Sequence, residues 1–198
     1  MSRQGKFVKL CRTRQKILLI VEGSAHKSEQ TYFELLAREL RSEKAAVDVK
    51  VIPGKGEPSK LLSKCLAEKE RRSGLYDHYC LVVDVDQHAK LRGVLREAAK
   101  NQISVVVTNP QFELWLLLHV SDCRREISGP RLDDEVSTLN LTTGRNGKEL
   151  SHNFPVSNYR DACKRARILW PKMAPGQIGP NPSSAIPWLI DALENGIF

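Results

Sequence analysis

Two continuous apolar runs, each ending in a carboxylate, constrain this chain more than any other feature. Ile17 to Val21 is wholly apolar and is followed at once by Glu22-Gly23, and Tyr79 to Val83 is followed by Asp84-Val85-Asp86. A strand without polar alternation is one buried on both faces, as in a parallel sheet covered by helices. The intervening sequence supplies those helices. Tyr32, Phe33, Leu36 and Leu40 form one helical stripe, Leu61, Leu62, Cys65 and Leu66 a second, and Leu91, Val94, Leu95 and Ala98 a third. Val47, Val49 and Val51 alternate with polar residues as a strand that Pro53-Gly54 and Gly56 break. Ile103, Val105 and Val107 make a further strand, stopped by Asn109-Pro110, before helix resumes through Leu114 to Leu118. This alternation predicts an α/β, Rossmann-like fold with a mostly parallel four-stranded sheet flanked by helices.

The last third reads differently. Residues 121 to 157 are polar and rich in turn formers. Helical patterns follow through Tyr159, Ala162, Cys163 and Ala166, and from Asn181-Pro182-Ser183, where Asn181 and Ser183 read as helix caps, through Ile186, Leu189, Ile190 and Leu193. The expected organisation is a core over 13–120 and a C-terminal loop and helical part, 121–198, packed on it as one domain.

Thirty-one lysines and arginines face 23 acidic residues, a formal charge of +8. Such an excess favours polyanions, because phosphates release counterions when neutralised. The late basic residues Arg160, Lys164, Arg165 and Arg167 read mainly as a solvated face. The five cysteines are odd in number and widely spaced, which argues against both a zinc site and a secreted disulfide framework. The basic N-terminal stretch is followed by no long apolar segment, so a cytoplasmic protein without membrane association is expected. No G-x-x-x-x-G-K-[ST] loop, no G-x-S-x-G elbow and no supported Cys-His pairing occurs. Gly54-Lys55-Gly56 lacks the full phosphate-binding motif and reads as a turn.

The chemistry concentrates at the strand ends. Ligand sites of parallel α/β sheets lie at the carboxyl edge, which is where Glu22 falls. Asp84 and Asp86, two apart on extended chain, point to one side and repel unless a cation lies between them. A hard cation such as Mg2+ or Mn2+ takes oxygen ligands of this kind. The bland alternatives are a loop acid at Glu22 and a helix cap at Asp86. His88 is a proton donor, a metal ligand or a surface residue. Asn109 and Pro110 suit a helix start, and Glu113 is then either its first-turn acid or a further ligand to metal or water.

The combination of a Glu at one strand end with D-x-D at another resembles the Toprim pattern of topoisomerases, primases and overcoming-lysogenization-defect nucleases. A closer resemblance spans nearly the whole chain. The series I-L-L-I-V-E-G, Y-F-E-x-L, V-V-D-V-D-x-H, T-N-P-x-F-E-L-W-L-L-L-H and N-P-S-S is similar to the RloB family, found beside prokaryotic restriction and phage-defence loci. Asn109, Phe112, Glu113 and Trp115 fall where the family motif places them. The family continues from E-G into a helix carrying T-E; here the connection is slightly longer and Ser28 stands in the threonine position, where it can cap the helix. A lysine is expected at Lys148, where it would neutralise charge in the transition state.

The resemblance implies a compact Toprim-like nuclease using Mg2+ or Mn2+ held by Glu22, Asp84 and Asp86. Glu113, His88 and Lys148 are candidate catalytic residues, nucleic acid (RNA or DNA) is the expected substrate, and a partner protein from a defence operon is an expected associate. Two alternatives stay open. One is a non-catalytic module that binds nucleic acid or a nucleotide within a defence complex. The other is a Toprim enzyme that joins or extends nucleic acid.

Overall fold

The computed structural model describes residues 14–42, 46–85, 90–144 and 147–198. Strand β1 (Gln15–Val21) lies centrally, paired in parallel with β2 (Val47–Pro53) and with β3 (His78–Asp84). β3 pairs in parallel with β4 (Ser104–Asn109). Helix α1 (Ser28–Ser42) joins β1 to β2, α2 (Pro58–Arg71) joins β2 to β3, and α3 (Leu91–Lys100) lies between β3 and β4. The four expected strands are therefore present in a Rossmann-like arrangement.

Strand periodicity divides the core in two. Ile17, Leu19, Val21, Cys80, Val82 and Val106 face one layer, which holds the apolar stripe of α1. Leu18, Ile20, Leu81, Val83, Val105 and Val107 face the other, which α2 and α3 cover. The first layer is extended by α4 (Glu113–Leu117), α5 (Gly129–Thr138), α6 (Tyr159–Leu169) and α7 (Ile186–Asn195). Residues beyond 120 thus share a core with the sheet.

Three features depart from the sequence reading. A short strand, β7 (Ser183–Ser184), pairs antiparallel with the end of β4 and makes a fifth strand, in the order β2-β1-β3-β4-β7. Helix α5 stands in the stretch read as loop; it buries only Leu132 and Val136, too little periodicity to announce itself. A two-stranded hairpin, β5 (Thr142–Thr143) and β6 (Glu149–Leu150), follows it.

The two asparagines read as helix caps do other work. Asn109 ends β4 and donates its side-chain amide to the Gly179 carbonyl at 2.9 Å, while α4 starts only at Glu113. Asn181 accepts from the Ile127 amide at 3.2 Å and donates to the Ile127 carbonyl at 2.9 Å. In both cases tertiary partners satisfy the side chain, so the local capping preference loses.

Cys65, Cys80, Cys123 and Cys163 are free, buried thiols. Among the described residues no helix is long and apolar enough to cross a membrane.

Candidate functional site at the carboxyl edge of the sheet

Glu22 follows β1 directly, and its Oε2 accepts the Asp84 amide at 3.1 Å. The side chain thereby reaches across the strand pairing to the end of β3. Asp84 is aligned with Thr108 of β4, and the next amide, Val85, donates to the Thr108 carbonyl at 2.9 Å. These backbone bonds hold the ends of three neighbouring strands level. The end of β2 joins them, because the Gly54 amide donates to the Val21 carbonyl at 2.7 Å.

Glu29, in the first turn of α1, turns back toward the same edge and accepts from the Gly23 amide. A Cβ at position 23 would stand 2.5 Å from Glu29 Oε2, so a side chain there would displace that carboxylate. From the other side comes Glu113, the first residue of α4 and only 6 % exposed. Lys148 Nζ lies 3.7 Å from Glu113 Oε1 and 3.8 Å from Asp133 Oδ1. Asp133 is itself held by Gln111 Nε2 at 2.8 Å. The Lys148 carbonyl accepts the Ser28 amide at 3.0 Å, so the hairpin approach and the start of α1 are fastened together.

The electrostatics describe one coupled cluster. Asp84 is pushed well above the usual carboxylate range, first by loss of solvent, then by the charges of Glu29, Glu22 and Glu113; a hydrogen bond from the Phe112 backbone opposes this. Glu29 is pushed up to about 8, chiefly by burial, then by Glu113 and Glu22, against the Gly23 amide and Lys148. Glu113 is raised by burial, with Lys148 as the main opposing influence. Mutual repulsion among desolvated acids has two remedies, protonation or a cation.

Of the residues singled out from sequence, Glu22, Asp84, Glu113 and Lys148 come together here. Asp86 and His88 lie outside the described residues. Lys27 pairs with Glu149 at 3.3 Å and is engaged within the protein. Glu29, a first-turn acid of α1, carries one sequence signal, its place beside Ser28, where the similar family has T-E. Asp133, the second carboxylate beside Lys148, had no signal, since it sits on the unforeseen α5.

Among the described residues no three His, Cys, Asp or Glu side chains are gathered closely enough to hold a metal ion as they stand. The donor chemistry nonetheless fits a hard divalent cation. Carboxylate oxygens from Glu22, Glu29, Asp84 and Glu113 face one edge, and three of these groups have raised proton affinity.

The family model described as RloB-like protein matches residues 17–193. No curated protein matches the chain. A solved structure with a similar course is a solute-binding protein of an ABC transporter from Bacillus halodurans, with bound myo-inositol. It is 10% identical with a TM-score of 0.35, and the match covers 75% of this chain and 52% of that one. The chain thus spans about half the length of that protein.

Proposed function

The chain belongs to the RloB family, and from that premise we propose that it is a Toprim-type, Mg2+- or Mn2+-dependent nuclease. Its substrate is nucleic acid, RNA before DNA, and its setting is antiphage defence in the cytoplasm. The observation that carries this reading is the convergence of Glu22, Glu29, Asp84 and Glu113 on the carboxyl edge with Lys148 beside them. Acids of raised proton affinity, desolvated and clustered at a ligand edge, mark functional sites.

Glu22 and Asp84, with Asp86, would hold the cation, and Glu29 would add a further oxygen beside it. When bound, the ion supplies activation of water and offsets negative charge developing at phosphorus. The chain's own groups divide the remaining work. The Asp84 amide orients the Glu22 carboxylate, and the Gly23 amide orients that of Glu29. Lys148, about half exposed, can turn between Glu113 and a substrate phosphate. Glu113, buried and of raised proton affinity, is suited to hold a proton on its carboxylate near the reacting centre.

The test is incubation of the purified protein with labelled tRNA, single-stranded RNA and plasmid DNA. Magnesium or manganese, and nucleotides, are each supplied and withheld. Cation-dependent strand cleavage that Glu22→Ala abolishes is the expected result. Full cleavage by Glu22→Ala would sink the mechanism. Cation-dependent joining or extension of strands without cleavage would replace the nuclease with a synthetic Toprim enzyme. Binding without any turnover would leave a recognition module.

A further inference from the structure

Two sets of basic residues on this chain differ in what neutralises them. On α6 each is paired within the protein: Arg160 with Glu194 at 3.3 Å, Lys164 with Asp161 at 2.7 Å, Arg165 with Asp122 at 3.1 Å and Arg167 with Asp191 at 2.7 Å. On the β2–α2 connection, in the first turn of α2 and in the first two turns of α3 the opposite holds, whereas Lys100 at the end of α3 pairs with Glu97 at 3.2 Å. Lys55, Lys60, Arg92 and Arg96 are exposed and make no ion pair among the described residues. Neither α2 nor α3 carries an acidic residue in its first turn. Glu57, at the start of α2, makes no side-chain capping bond.

Their placement follows from topology. In a parallel sheet each crossover helix begins at the carboxyl edge of the strand before it. Lys55 and Lys60 thus lie at that edge beside β2, and Arg92 lies at it beside β3. The Gly54 amide bonds to the carbonyl of Val21, the residue before Glu22, which brings the Lys55 turn next to the carboxylate cluster. Helices α2 and α3 cover the same face of the sheet. Arg96 is one turn beyond Arg92 on α3 and shares its exposed side.

We propose that the phosphate backbone of a nucleic-acid strand enters the site along the α2–α3 face, held by Lys55, Lys60, Arg92 and Arg96, and not along α6. The proposal rests on the nuclease reading and gives that site a direction of approach. Unpaired charge together with position at the carboxyl edge selects the face. A paired arginine must give up its carboxylate to take a phosphate, whereas an unpaired exposed one gains a contact and releases counterions. Lys148 meets the same edge from the α1–α4 side. A strand crossing from α3 toward Lys148 would therefore lay one phosphodiester over the acids.

Fluorescence anisotropy with labelled single-stranded RNA and single-stranded DNA, read across a salt series in EDTA, tests this. The triple variant Lys60→Glu, Arg92→Glu, Arg96→Glu is expected to bind at least about tenfold more weakly, with the salt slope reduced by about 2, as for three lost single-strand phosphate contacts. The Gln versions at the same positions should show a smaller loss with unchanged melting, which separates lost contacts from misfolding. Arg160→Glu with Lys164→Glu, both exposed on α6, should bind as wild type. Equal weakening by that control pair, or wild-type binding by the triple variant, overturns the proposal. Loss of affinity for phosphatidylserine vesicles in place of nucleic acid overturns it as well. The two readings fail separately. Cleavage that survives the triple variant removes the surface and leaves the nuclease; face-dependent binding without cation-dependent cleavage does the reverse.

Discussion

The Asp84 amide donates to Glu22 Oε2 at 3.1 Å, so the acids that close β1 and β3 are one structural unit. Groups that act as a unit do not contribute additively. Glu22→Gln and Asp84→Asn should each lower cleavage by about 10²-fold or more, and the double variant should be no worse than the poorer single one. Circular dichroism should be unchanged. Isothermal titration should show manganese binding lost in Asp84→Asn; unchanged affinity there would refute the assignment.

Glu29 makes stability without cation depend on pH in an unusual direction. Its folded value of about 8 lies above the ordinary 4.5, so the native state holds a proton that the unfolded chain releases between those values. Stability from this group is complete below about 4.5 and is lost as pH rises through 8, roughly 2–5 kcal/mol over the range. Urea melts of the EDTA-treated protein should therefore weaken from pH 5 to pH 8. Glu29→Gln should flatten that decline, and manganese should offset it in the wild type.

His119 acts with the opposite sign. It is buried among Tyr32, Trp115 and Phe154. Its Nδ1 lies 2.9 Å from the Trp115 carbonyl, which can only accept, so Nδ1 carries the proton and Nε2 accepts from the Tyr32 hydroxyl at 3.3 Å. Burial lowers its folded value to about 4. The unfolded imidazole takes up a proton below about 6.5, so this contribution is full above 6.5 and is lost as pH falls through 4, about 3 kcal/mol in all. A Glu29→Gln background should separate this acid limb from a smaller decline at higher pH that Asp84 and Glu113 still cause. His119→Gln should remove the acid limb; a persisting limb of the same size would assign it to another group.

Trp115 and the site acids should be separable as two classes. Trp115 is fully buried in the layer under α1, and Trp115→Ala should cost about 3–5 kcal/mol and lower activity through unfolding. Its thermal midpoint should fall sharply, whereas Glu22→Gln should melt as wild type.

Lys148 is the main influence holding down the proton affinity of Glu113. Lys148→Met should leave the fold intact, lower kcat more than it raises KM, and move the alkaline limb of the pH–rate profile, where Glu113 gives up its proton, to higher pH. A pure rise in KM would mark Lys148 as a binding residue alone.

The apolar runs of β1 and β3 announced buried parallel strands because such strands need no partner-specific residue, only continuous hydrophobicity. Glu22 and Asp84 were legible for the same local reason: each ends a run, and in a parallel sheet a run's end is the ligand edge. Glu29 was not. In sequence it is an ordinary first-turn acid, and it joins the cluster only because α1 packs back over β1 and the Gly23 amide turns its carboxylate inward. The caps read at Asn109 and Asn181 failed because Gly179 and Ile127, some seventy and fifty residues away, supply partners that local preference cannot foresee. The partition of basic residues is of the same kind. Sequence determines that arginines and lysines are in excess; only packing decides that Arg160, Arg165 and Arg167 on α6 meet Glu194, Asp122 and Asp191, which lie on distant stretches of chain, while Lys55, Lys60, Arg92 and Arg96 meet no carboxylate among the described residues.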